Sequence, residues 1–128
     1  MNKFATSINC MDGRVQLPVH EFIKINYEID FVDTITLPGA NKLLAEENWL
    51  EIQEFVKKCL EISLKKHKSN LIAIVGHYDC AGNPTDKENQ NSHTLRAMDL
   101  VKSWYPETKI IGLWVNEHWA VEKIKELP

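Results

Sequence analysis

Apolar positions fall into two kinds of run along this chain. Leu71–Val75 (LIAIV) and Lys109–Val115 (KIIGLWV) are nearly continuous, the pattern of strands covered on both faces. Phe31–Leu37 (FVDTITL) alternates apolar and polar residues and stops at Pro38-Gly39, while Phe4–Asn9 is short, mixed and followed by Cys10. Between these runs the apolar spacing becomes helical. Leu50, Ile52, Phe55, Val56, Cys59, Leu60 and Ser63 predict an amphipathic helix within residues 48–67. Leu95, Met98, Val101 and Trp104 predict a second over 92–104, with Ser92 as N-cap and Pro106 beyond its end. A shorter helix is expected over 17–25. Strands alternating with helices imply an α/β fold: a mostly parallel, four-stranded sheet flanked by helices. The tail, Trp119–Leu127 (WAVEKIKEL), allows a terminal helix or an antiparallel fifth edge strand after a turn at Asn116-Glu117-His118. The hairpin-length gap from Val115 favours the strand. The whole chain, 1–128, is expected to be a single domain.

Composition narrows the function classes. A net charge of −3 argues against a nucleic-acid footprint, which needs clustered excess Lys and Arg. The basic run Lys65-Lys66-His67-Lys68 ends an otherwise acidic helix, where cations suit the macrodipole. No apolar run approaches the length of a membrane span, and Met1-Asn2-Lys3-Phe4 lacks the apolar core of a secretory leader. With three cysteines and no export signal, a cytoplasmic protein with free or metal-bound thiols is expected.

Two short segments carry the candidate chemistry: Cys10-Met11-Asp12-Gly13-Arg14 and Gly76-His77-Tyr78-Asp79-Cys80. Each follows an expected strand. In open parallel sheets, functional groups gather beyond the carboxyl ends of strands where the strand order reverses, so the segments meet if the first and third strands are neighbours. Cys10, His77 and Cys80 are donors that suit Zn²⁺, and three protein ligands leave a fourth position for chemistry. Residues 10, 12 and 14 share one side of an extended segment, which would aim Cys10, Asp12 and Arg14 into a common pocket. A tight turn or a first helical turn would make His77 and Cys80 adjacent.

Two thiolates already cancel the Zn²⁺ charge, so such an ion acidifies water less than an all-imidazole zinc. Asp12 can then orient the nucleophile by accepting a hydrogen bond, or become the fourth ligand and close the site. Arg14 can hold Asp12 in a bidentate pair. A redox pair of Cys10 and Cys80 would leave Asp12, Arg14 and His77 unexplained. Asp79 could orient His77, or simply cap a turn or face solvent. Ala81-Gly82 would let backbone approach a metal closely. Cys59 and the four tryptophans, Trp49, Trp104, Trp114 and Trp119, read as packing residues, and Asp33 as a sheet-edge residue. His20, His67, His93 and His118 have no ligand spacing; proton relay is conceivable for His20 and His93, surface placement the better expectation.

At these residues the chain resembles the β-class carbonic anhydrases, which carry Cys-x-Asp-x-Arg after the first strand and His-x-x-Cys after the third. Phe31–Asn41 (FVDTITLPGAN) is similar in placement to that family's strand and Arg-Asn-Ala-Gly-Asn loop, with the Arg absent here. Ala81-Gly82-Asn83-Pro84 stands where the family has Gly-Ala. The chain opens directly on its first strand, so the helical arm with which many members wrap a partner is not expected. The resemblance implies zinc held by Cys10, His77 and Cys80, Asp12 and Arg14 as the catalytic pair, and reversible hydration of CO₂ to bicarbonate. It also implies a homodimer or higher homo-oligomer; charge and apolar-run length are what argue against a nucleic-acid or membrane partner. Hydrolysis of carbonyl sulfide or carbon disulfide on the same site, or a non-catalytic zinc-binding protein closed by Asp12, are the alternatives.

Overall fold

The computed structural model describes residues 2–128. Five strands, β1 (Phe4–Cys10), β2 (Phe31–Leu37), β3 (Leu71–His77), β4 (Lys109–Val115) and β5 (Val121–Leu127), form one sheet in the order β2-β1-β3-β4-β5. The first four pair in parallel and β5 closes the edge antiparallel to β4, with a bulge at Gly112/Leu113. Strand order reverses between β1 and β3, the strands that carry the two motifs.

The continuous apolar runs are continuous because both faces of the sheet are covered. Ile8, Ile72, Ile74 and Ile110 face a core shared with α2 (Ala40–Ala45), α3 (Leu50–Glu61) and α4 (Lys87–Trp104). Ala5, Leu71, Ala73, Val75, Ile111 and Leu113 face the other way, onto Val15, Val19 and Ile23 of α1 (Gly13–Tyr27). α3 continues into a π-helical turn, Ile62–Lys66. The outer edge β5 carries Glu122, Lys123, Lys125 and Glu126, charges that discourage further strand addition.

Two helices start earlier than expected, and one more helix forms. α1 begins at Gly13 rather than residue 17, because Asp12 caps it: its carboxylate accepts from the Arg14 amide. Pro18 sits inside the helix. α4 begins at Lys87, capped by Asp86 rather than Ser92. α2, six residues long, is too short to show periodicity. No helix among the described residues is long and apolar enough to cross a membrane.

Candidate metal centre

The site forms where the ends of β1 and β3 meet the loops that follow them. Cys10 is the last residue of β1 and His77 the last of β3; Gly76 lies within the strand rather than ending it. After His77 a tight turn, with Asp79 at φ +56°, brings Cys80 back over the sheet edge. Cys10 Sγ, His77 Nε2 or Nδ1 and Cys80 Sγ fall within 4.8 Å of one another, and all three residues are buried. The two sulfurs are 3.8 Å apart. Two thiolates on one tetrahedral zinc, at Zn–S about 2.3 Å, would sit about 3.8 Å apart.

The imidazole decides what this cluster is built for. His77 Nδ1 donates to the Tyr78 carbonyl at 2.7 Å, which fixes the ring and turns Nε2 toward the sulfurs. Buried Nε2 has no hydrogen-bond partner, a state shared among the described residues only by Asn91 Oδ1. Leaving such an atom unpaired is costly unless something else binds it. A cation satisfies it and neutralises both thiols. The protons of the pair are already poised unequally: the Cys80 thiol, by donating to Cys10, holds the Cys10 pKa well below its ordinary value, and Cys80 is pushed up in return. A bound divalent cation would bring the second thiol down as well. Burial pushes His77 down, but the Cys10 sulfur, the Tyr78 carbonyl and Asp12 outweigh it and hold the imidazole pKa up. The donor set fits zinc.

Asp12 and Arg14 converge here by a route other than the expected extended segment. Asp12 is a helix cap and Arg14 lies in the first turn of α1, so the pair is organised by the helix start. Arg14 Nη2 donates to Asp12 Oδ2 at 2.7 Å, while Nε reaches both carboxylate oxygens. Arg14 pulls the Asp12 pKa down to about 2. Asp12 Oδ2 lies 4.0 Å from His77 Nε2, beside the ligand set. Asp79 does not orient His77, which the backbone does; its side chain and carbonyl accept from Arg14 at 3.3 and 3.2 Å. An open cleft of about 650 Å³, lined by Tyr78, Asp79, Pro84, Lys87, Trp114 and Asn116 among others, reaches Cys80.

The supporting layer was invisible in the sequence. Gln16 Nε2 donates to the carbonyls of Cys10 and Asp12, and Asn9 Nδ2 donates to the Cys10 carbonyl and to Gln16. On the other side, Asn41 donates to Gln90 and Thr94, Asn83 donates to Asn41, and Gln90 donates to the Asn83 carbonyl. His93 Nδ1 accepts from Asn83. This buried polar layer leaves no room for a side chain at Gly76, where a Cβ would lie 2.7 Å from Gln90 Oε1. The Gly82 backbone reaches Cys80, whose pKa its amide pulls down against the larger upward push from Cys10 and burial. It packs against Gly39 (φ +57°), where a Cβ on Gly82 would lie 2.5 Å from Gly39 N, and so joins the loops after β2 and β3. His20 lies at the surface against Thr34, and Cys59 packs on the α3 side of the core.

A buried Cys-His-Cys set at the switch point of a parallel sheet could hold a metal ion in an α/β protein, and comparison with known proteins supplies the family. A family model described as "Putative carbonic anhydrase" matches residues 1–125, and the chain belongs to that carbonic anhydrase family. The chain is 23% identical to an uncharacterized protein of Rickettsia conorii, over 94% of this chain and 72% of that one. It is 24% identical to another of Rickettsia bellii, over 93% and 80%. Among solved structures, the tetrameric β-carbonic anhydrases of Sordaria macrospora align with a TM-score of 0.64 at 8% identity, covering 99% of this chain and 83% of theirs. The β-carbonic anhydrase CafA of Aspergillus fumigatus aligns at 0.55 and 11% identity, over 97% and 76%. These likenesses establish the fold.

Proposed function

We propose that this protein is a zinc lyase that interconverts CO₂ and bicarbonate, with Cys10, His77 and Cys80 as zinc ligands and Asp12 and Arg14 as the catalytic pair. The observation that carries the reading is the unpartnered His77 Nε2, buried beside two thiols at the sheet's switch point. Zinc, when bound, supplies the Lewis acidity that makes water a nucleophile near neutral pH. Asp12 stays ionised far below neutrality, so it can accept a hydrogen bond and orient the attacking oxygen toward carbon. Arg14 occupies both Asp12 oxygens, which supports an orienting role over a ligand role.

The finer features follow from the same reading. Residues 1–128 act as one catalytic domain. The protein assembles as a homodimer or larger homo-oligomer, in keeping with the tetrameric Sordaria neighbours. Its free thiols, Cys10, Cys59 and Cys80, suit a reducing cytoplasm.

Stopped-flow CO₂ hydration by the zinc-loaded protein at mildly alkaline pH tests the activity. Asp12→Asn is expected to lower kcat about 100-fold or more while zinc content stays unchanged. Full zinc occupancy with no hydration above the uncatalysed rate would refute the lyase reading. Sulfide release from carbonyl sulfide in the same preparation would then point to analogue hydrolysis.

A further inference from the structure

Among the described residues, four non-glycine residues have positive φ: Glu28, Lys68, Asp79 and Trp119. Glu28 ends α1, and Lys68 follows the π-helical turn, places where a left-handed residue closes a helix. The other two lie far apart in the chain, yet both touch the Arg14 guanidinium. For a bulky aromatic, φ +59° is a genuine outlier, and such outliers persist where surrounding structure over-determines them.

That structure is the β4–β5 hairpin. Asn116 Oδ1 accepts from the amides of His118 and Ala120. The Asn116 amide donates to the Ala120 carbonyl, and the Trp119 amide donates to the Asn116 carbonyl. The turn so fixed lays the indole against the α1-side core and over Arg14, whose Cζ is 4.5 Å from the ring centroid. The guanidinium edge is taken by Asp12 and Asp79, and its face by Trp119. Arg14 is nevertheless 46% exposed. An exposed ion pair by itself holds a long side chain weakly.

We propose that Trp119 is a positioning residue: it clamps Arg14 onto Asp12 and thereby keeps the Asp12 carboxylate off the metal position. The inference rests on the Cys10-His77-Cys80 reading for its second half only. Asp12 Oδ2 stands 4.0 Å from His77 Nε2, close enough to join the ligand set once Arg14 releases it. Trp119 thus acts through Arg14, from an element that neither motif contains.

Trp119→Phe keeps a π face; Trp119→Leu keeps apolar volume without one. Trp119→Gly, which the left-handed φ tolerates, serves if leucine unfolds the hairpin. In metal-free protein, hydrogen exchange at Arg14 Nε should be about three- to tenfold faster in Trp119→Leu and close to wild type in Trp119→Phe. Equal exchange in wild type and Trp119→Leu overturns the clamp. In Co²⁺-loaded protein, Trp119→Leu should change the visible spectrum as Asp12 enters the coordination sphere, and adding Asp12→Asn should reverse the change. An unchanged spectrum, or a change that survives Asp12→Asn, overturns the link to the metal position. Failure of wild type to take up Co²⁺ would refute the metal reading, with the exchange measurement still deciding the clamp.

Discussion

β1 carries a polar cluster near each end, and the two are built in opposite ways. Toward its start, Thr6 joins Ser63, Ser69, Asp33 and His67 in a knot in which hydroxyls bond one another. Ser63 donates to Asp33 at 2.7 Å, and His67 Nδ1 donates to the same oxygen at 2.6 Å. At its end, Cys10 joins His77 and Cys80, and there the imidazole nitrogen finds no partner. Both clusters contain an imidazole, a carboxylate nearby and small nucleophilic side chains. The knot ties β1, β2 and the π-helical turn together, and its polar groups are spent on one another. The site leaves His77 Nε2 unspent, at a cost that a bound ligand would remove. Residue types alone do not separate the two; the hydrogen-bond accounting does.

The contrast is broken most severely by removing a donor. His77→Ala should weaken zinc binding by about a thousandfold or more, measured by competition with a chromophoric chelator. Ser63→Ala, in the knot, should leave zinc affinity unchanged. It should lower unfolding free energy by about 1–3 kcal/mol in urea, because Asp33 loses a buried donor. Equal effects of the two variants on zinc would erase the distinction.

A smaller effect comes from pH. Arg14 depresses the Asp12 pKa in the folded protein to about 2, below its ordinary 3.8. The Asp12 contribution to stability is therefore present above about pH 4 and lost as pH falls through about 2. The exposure of Arg14 keeps it modest. Wild type and Asp12→Asn should differ slightly in urea midpoint at pH 5 and converge near pH 2; Asn caps the helix as well as Asp, so the cap does not confound the comparison.

Much of this was legible in sequence, for physical reasons. β3 and β4 are covered on both faces and so read as unbroken apolar runs. The antiparallel tail strand was legible from its hairpin-length gap, and it forms. Cys10, His77 and Cys80 were legible as candidate ligands, and the topology brings them together. What was hidden lies where polar residues are buried. Asn41, Asn83, Gln90 and Thr94 look like surface residues until Gly76 is seen to have no space above it. The start of α4 was lost because Lys87–Asn91 holds no apolar residue to set a period. Trp119 carries no signal, since its role depends on a backbone conformation that tryptophan rarely adopts.

The central claim is that both sulfurs and the imidazole act as one metal site, and Co²⁺ titration of the purified, reduced protein tests it directly. A thiolate-to-cobalt charge-transfer band saturating at one equivalent per chain, and lost in Cys10→Ser and in Cys80→Ser alike, is the predicted result. A wild-type protein that develops no band, or a band that survives the loss of either thiol, would contradict it.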